Sequence, residues 1–192
     1  MERDIWSVEC GVAGWKETDG SVIETGSAAA YIRQAEEEDI ERILEIERES
    51  ISPPWTHGAL LSEIYRDDSF VAVAVTARGG SVAVAEYEPR SVPPCSPIQG
   101  FVILRRVADE GELFQIAVGK AARRTGIADA LMAAALRYAG KSSLRSIYLE
   151  VRKGNAAAFS LYKKHGFNQL RQRKDYYNDP VEDAIVMMKD LL

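Results

Sequence analysis

The sequence predicts one mixed α/β domain, a single sheet with helices packed on it, from three observations. Strand-like apolar runs stand both before and after helical segments. Short turns join several of them, RGG at 78–80 and DEG at 109–111. No repeat or second domain divides the chain, and its 192 residues, 46% hydrophobic, suit one core.

The elements follow in order. Residues 1–29 contain two tryptophans and the turn-like TDGS, and read as an N-terminal extension, either a short hairpin or a loose arm. The domain proper is expected over 30–192. AAYIRQA (29–35) is a strand, and EEEDIERILEIERES (36–50) a helix with Ile40, Ile43 and Leu44 at helical spacing and its acids gathered at the start. SPPW (52–55) breaks the chain. THGALLSEIYR (56–66) is a second helix, and SFVAVAVTA (69–77) and SVAVAEYE (81–88) are strands. The proline-rich PRSVPPCSP (89–97) must be a loop. GFVILRRV (100–107) and ELFQIAV (112–118) are strands. A helix follows RRTG with Ile127, Ala130, Leu131, Ala134, Ala135 and Tyr138 on one stripe. SLRSIYLEV (143–151) alternates as a strand, turning Ile147, Leu149 and Val151 one way and Glu150 the other. NAAAFSLYKKHG (155–166) is a helix stopped by Gly166. FNQLRQR (167–173) and EDAIVMMKD (182–190) form a closing strand pair, joined by the aromatic loop KDYYNDPV.

Composition removes several function classes. A net charge of −5 argues against nucleic-acid binding through bulk charge. Cys10 and Cys95 lack CxxC spacing, and with only two histidines, His57 and His165, little material exists for a metal site. No window reaches the ~18 apolar residues of a membrane span, and the charged MERDIWSVEC is no signal peptide. The expectation is a soluble cytoplasmic protein with no metal, nucleic-acid or membrane partner; the oligomeric state stays open.

The chemistry-bearing stretch is IAVGKAARRTGIADALM (116–132). A helix start leaves backbone N–H groups unpaired and carries partial positive charge. Gly126 keeps the approach open, Ala128 is nearly as small, and Arg123 and Arg124 add charge. Such a start suits a pyrophosphate. Neither a Walker GxxxxGK[ST] loop nor a three-glycine dinucleotide fingerprint fits.

The pattern Arg123-x-x-Gly126-x-Ala128 resembles the acyl-CoA loop, [RQ]-x-x-G-x-[GA], of the GNAT acetyltransferase superfamily. GELFQIAV, YLEVRKGNAAAFSLYKKHGF and KDYYNDPVEDAIVMMKD, with SPPWTH upstream, resemble the RimI-type ribosomal-protein alanine N-acetyltransferases over roughly 30–190. Residues 1–29, and an apparent insertion at about 78–97, depart from that pattern.

The resemblance implies a mixed, mostly antiparallel central sheet flanked by helices. It implies transfer of acetyl from acetyl-CoA to the N-terminal α-amine of a protein, an alanine-starting ribosomal protein foremost. Ile116, Ala117 and Val118 would bind the pantetheine arm, and Arg124, Thr125, Gly126, Ile127, Ala128 and Asp129 the pyrophosphate. Asn155 would cap its helix and reach the cofactor arm. Glu150 would be the general base, and Tyr162, two turns beyond Asn155, the acid beside the thioester sulfur. A phenol of pKa ~10 passes its proton uphill to a thiolate of pKa ~8.5, so hydrogen bonding to the thiolate is the expected first role. An α-ammonium of pKa ~7.8 is partly free amine at neutral pH, so the base has a modest task.

Trp55, Tyr176 and Tyr177 are candidate walls of a peptide groove. The histidines are read as structural or exposed, and the acidic run from 36 to 49 as a solvated helix face, with docking to a basic ribosomal protein as the alternative. Two functional alternatives stay open: a GNAT enzyme acting on a small amine or lysine side chain, and a non-catalytic acyl-CoA-binding module.

Overall fold

The computed structural model describes residues 29–51, 53–76, 83–85 and 97–191. The readings for residues 1–28, for the turn at 78–80, for most of the strand at 81–88 and for the loop at 89–96 lie outside them.

Among the described residues eight strands form one sheet: β1 (Ala29–Gln34), β2 (Ser69–Thr76), β3 (Ala83–Ala85), β4 (Ile98–Val107), β5 (Glu110–Val118), β6 (Ser146–Arg152), β7 (Asn168–Asn178) and β8 (Val181–Asp190). Their spatial order is β3-β1-β2-β4-β5-β6-β8-β7. Only β1 with β3 and β5 with β6 pair in parallel; the other neighbours are antiparallel. The mostly antiparallel α/β architecture expected from the sequence is the one observed.

Among the same residues four α-helices cover the sheet: α1 (Ile40–Arg48), α2 (His57–Ile64), α3 (Ile127–Lys141) and α4 (Ala156–Lys164). Side chains alternate across the strands, so the sheet carries two cores. On one face Ile43, Ile46 and Leu60 of α1 and α2 pack on Val71, Val73, Phe101 and Ile103. On the other, Leu131, Ala134 and Ala135 of α3 and Tyr162 of α4 pack on Val102, Leu104, Leu149 and Met187. At Gly100 a Cβ would stand 2.7 Å from the Ala117 carbonyl oxygen and 3.2 Å from Ile127 and Leu131. Glycine there lets α3 lie close on the sheet.

Two readings change. KDYYNDPV is not a loop: β7 continues to Asn178, and its ladder with β8 shifts between Arg173 and Tyr177 before closing at Asn178 and Val181. A bulge absorbs the extra residues; Asp175 has φ +49°, and its amide donates to the Asp183 carboxylate at 3.0 Å. Tyr176 and Tyr177 therefore stand on a strand.

The acidic run of α1 is not wholly solvated either. Asp39 and Glu47 are buried. Asp39 accepts two bonds from the Arg33 guanidinium and one from the Glu36 amide. Glu47 accepts from the Trp55 amide at 2.9 Å and from Gln115 Nε2 at 2.7 Å. Each buried carboxylate has the donors that ionised burial demands.

Candidate active site

Three of the helices begin on uneven terms. Thr56 caps α2 by accepting from the Ala59 amide at 3.2 Å, and Asn155 caps α4 by accepting from the Ala158 amide at 3.1 Å. No side chain caps α3. Its first amides are left for an outside acceptor.

The backbone ahead of α3 reinforces this. Arg124 and Gly126 both adopt left-handed conformations, φ +65° and +92°. Left-handed residues are one component of the backbone concavities that bind anions. A Cβ built on Gly126 meets nothing within 4 Å, so open space lies over the helix start. The loop is braced from beneath, Thr125 Oγ1 donating to the Ala122 carbonyl at 2.6 Å. Arg124, Thr125 and Gly126 are exposed, Ala128 and Asp129 partly so, and Ile127 is buried in the core.

Arg123 does not join this surface. Its Nε donates to the Val118 carbonyl at 3.1 Å and its Nη2 to Ser50 Oγ at 2.8 Å. Both arginines are exposed, but the Arg123 guanidinium ties the loop back to the end of α1. The carboxylate of Asp129 is also turned aside, 2.7 Å from Lys164 Nζ and 2.9 Å from His165 Nε2. Burial opposes its ionisation, but Lys164 and His165 outweigh that and hold its carboxyl below the usual range. His165 thus joins the end of α4 to the start of α3, a structural use; His57 is exposed.

Beside the loop the sheet opens. β5 and β6 pair from Glu110 and Ser146 only as far as Leu113 and Leu149. Beyond that point Phe114–Val118 and Glu150–Arg152 have no ladder between them. A bulge lies at the divergence: Ile103 faces Gln115 and Leu104 faces Leu113, so Phe114 is the extra residue on β5. Phe114 packs against the α1–α2 core, and Gln115 bonds Glu47 on the same side. Ile116 and Val118 return to the α3 face, while Ala117 is buried opposite. The backbone groups of 116–118 that face the gap, apart from the Val118 carbonyl that Arg123 already meets, are available to an amide-bearing ligand.

Glu150 sits on β6 beyond the divergence, its side chain 27% exposed. It forms an ion pair with Arg173 and accepts from Tyr176. That hydrogen bond, then partial burial, raises the Tyr176 phenol above its usual pKa. Glu112 also faces Glu150. Partial burial, then the Glu150 charge, raises its carboxyl, while Arg105 opposes. Arg173 in turn stacks 4.3 Å over the Tyr176 ring.

Tyr162, on α4, is 7% exposed and meets the edge of Phe167 at 5.9 Å. Burial, with Tyr177 adding, pushes its phenol well up. It is a hydrogen-bond donor rather than an acid at any working pH. Tyr177 lies within electrostatic reach of both Tyr162 and Glu150. Burial first, then Glu150, pushes its own phenol up to about 12. Its ring lies 4.2 Å under Arg152, and 5.1 Å from Tyr176 at a steep angle. Tyr177 is half-buried, within electrostatic reach of both candidate catalytic groups, and Tyr176 is exposed.

Trp55 is partly buried on the α1–α2 face, tilted against Phe114 at 5.8 Å. With Pro54, Glu63 and Arg105 it lines an open cavity of about 490 Å³. Arg105 lies 4.5 Å over Phe114 and pairs with buried Glu63. The site contains four partners that sequence reasoning missed: Arg173, Glu112, Phe114 and Glu47. The bulge that exposes Phe114 carries no sequence signal, whereas Arg173, three residues before the tyrosine pair, could have been weighed against Glu150. Among the described residues no group of three potential metal ligands occurs, and no helix is long and apolar enough to cross a membrane.

The acetyltransferase (GNAT) family model matches residues 36–167. A [ribosomal protein bS18]-alanine N-acetyltransferase of Haemophilus ducreyi is 30% identical over 154 residues, 79% of this chain and 93% of the relative. Among solved structures, the ribosomal-protein-S18-alanine N-acetyltransferase of Escherichia coli matches with a TM-score of 0.69 and 29% identity, covering 84% of this chain and 94% of that one. Ard1 of Thermoplasma volcanium matches with the same TM-score and 25% identity, covering 85% and 98%.

Proposed function

The chain belongs to the acetyltransferase (GNAT) family, and on that premise we propose that it moves the acetyl group of acetyl-CoA to the N-terminal α-amine of a protein. The first candidate is an alanine-starting ribosomal protein in the cytoplasm, because the relatives that the chain resembles over most of its length carry that activity in their names. The observation that carries this reading is the uncapped start of α3 opening beside the β5–β6 divergence, with Glu150 and Tyr162 near it.

Acetyl-CoA supplies an activated thioester; this chain's residues bind, aim and manage protons. The amides of Arg124–Asp129 take the diphosphate, favoured by the helix dipole and the Arg124 charge. Backbone groups of Ile116, Ala117 and Val118 hold the pantetheine arm along the open edge of β5, with Asn155 across the gap. The Val118 amide is placed to donate to the acetyl carbonyl oxygen as it gains charge. Glu150 collects the proton of the attacking amine, directly or through one water. Arg173 and Tyr176 hold that carboxylate in place. Tyr162 donates its hydroxyl to the sulfur as the thiolate leaves. Trp55, Phe114 and Tyr176 form the walls along which the first residues of the substrate lie. Positioning of amine and thioester supplies much of the rate.

The test incubates the full chain with acetyl-CoA and peptides beginning Ala-Arg, Ser or Met, and with an amino-blocked peptide containing lysine. Fragment-ion mass spectrometry places the acetyl group. Acetylation of the alanine α-amine is expected. Modification of lysine alone, or turnover of small amines without any peptide product, overturns the reading in favour of another GNAT substrate class. Binding of acetyl-CoA without turnover of any amine points to a non-catalytic module.

A further inference from the structure

A second cavity, of about 420 Å³, lies between α3, the α2–β2 connection and the ends of β1 and β2. Its volume falls in the range of about 300–1,000 Å³ common for small-molecule sites. Arg137, on its wall, follows Gly126 by eleven residues, about 16 Å along α3. The cavity therefore stands at the opposite end of that helix from the proposed diphosphate loop.

Its lining combines two chemistries. Ile64 and the stacked rings of Phe70 and Tyr138, 4.6 Å apart, are apolar. Ser69, Arg137 and Lys141 are polar or charged. Among the described residues, two side-chain polar atoms are sealed from solvent without a hydrogen-bond partner: Ser69 Oγ and Arg137 Nη2. Both belong to this one cavity. Ser69 is only 7% exposed.

An unpaired buried hydroxyl is unfavourable, and an unpaired buried guanidinium nitrogen more so. Native structures rarely retain such groups unless something supplies the missing acceptor. Two unpaired donors on residues of one lining, which also includes Lys141, ask for an oxyanion. Asp67 is the one carboxylate of the lining, and Arg66 is already paired with Asp68 at 2.7 Å. The charge of Arg137 and Lys141 is thus not cancelled within the cavity. The stacked rings of the same lining ask for a flat or apolar body.

We propose that this cavity binds a small organic anion, a carboxylate or phosphate ester on an apolar body, with Ser69 and Arg137 gripping the oxyanion and Phe70 and Tyr138 the body. The site is independent of the proposed acetyl transfer and does not rest on it.

Amide chemical shifts of the full chain test this with four probes: benzoate, phenyl phosphate, inorganic phosphate and benzyl alcohol. Benzoate or phenyl phosphate, whichever oxyanion the site prefers, is expected to move the amides of Ser69, Phe70 and Arg137. The preferred anion should bind about tenfold or more tightly than benzyl alcohol, since a charge-assisted bond is lost with the alcohol. Inorganic phosphate, lacking the body, should bind more weakly than phenyl phosphate. Arg137→Met, checked for its fold by circular dichroism, should weaken the preferred probe about tenfold or more. Lys141→Gln, a substitution near the helix end, should weaken it severalfold and serves if Arg137→Met does not fold. Four results each overturn the proposal. Neither anion shifts these amides, or benzyl alcohol does so as well as the anions. Shifts are confined to Gly126–Asp129, or the folded variants bind like the parent chain.

Discussion

Replacing Tyr162 with phenylalanine removes one oxygen from a residue that is 7% exposed. The ring stays, with its edge contact to Phe167 at 5.9 Å, so the α4 packing is retained. The stability change should be about 1 kcal/mol or less, that of one neutral hydrogen bond. The catalytic change should be larger. Burial keeps the hydroxyl protonated, so it acts as a fixed donor toward the departing thiolate. A preorganised donor to developing charge contributes about 2.7–4 kcal/mol, or 10²–10³ in kcat. The assay follows thiol release with saturating Ala-Arg peptide in parallel with CoA binding. Tyr162→Phe should lower kcat by about a hundredfold or more, while CoA affinity stays within about twofold, because the interaction forms chiefly as charge develops. A fall of less than about threefold with the fold intact would show that the hydroxyl meets no developing charge, and Tyr162 would then be packing alone.

Other outcomes follow from the same contacts. Glu150→Gln should lower kcat by about 10²-fold or more with CoA affinity unchanged, measured by the same assay and by calorimetry. In that variant the Glu112 carboxyl, raised by partial burial and then by the Glu150 charge, should titrate at lower pH when followed by carbon NMR. A raised carboxyl favours the fold while protonated and loses that contribution as pH rises through its folded value. Glu112→Gln should therefore raise Tm at pH 7 and have little effect below about pH 4, under the ordinary glutamate value. Glu47→Ala leaves the Trp55 amide and Gln115 Nε2 without their buried acceptor, and denaturant unfolding should report a loss of about 2–4 kcal/mol.

Much of the domain was legible because its signals are local. Alternation marked β6, a period of 3.6 marked α3, and Asn155 announced the cap that α4 has. The exposed glycine after Arg124 was legible for the same reason, as a position where helix start, charge and small residues coincide. Features set by partners distant in sequence were not. Arg123 has the same local character as Arg124, yet its guanidinium turns to Ser50, 73 residues away. Glu47 looks like its acidic neighbours until Gln115, 68 residues on, meets it in the core. The extension of β7 through Tyr176 and Tyr177 depends on a bulge against β8, which no spacing in the chain encodes.

The diphosphate grip of the α3 start is reached most directly by calorimetric titration of coenzyme A into the full chain and into Gly126→Glu. The parent chain should bind coenzyme A with measurable heat. The substitution would set a carboxylate, of the same sign as the diphosphate, over the amides at a position whose φ of +92° already disfavours a side chain. It should abolish that heat without unfolding the protein. Absence of binding to the parent chain, or equal affinity in the folded variant, contradicts the account.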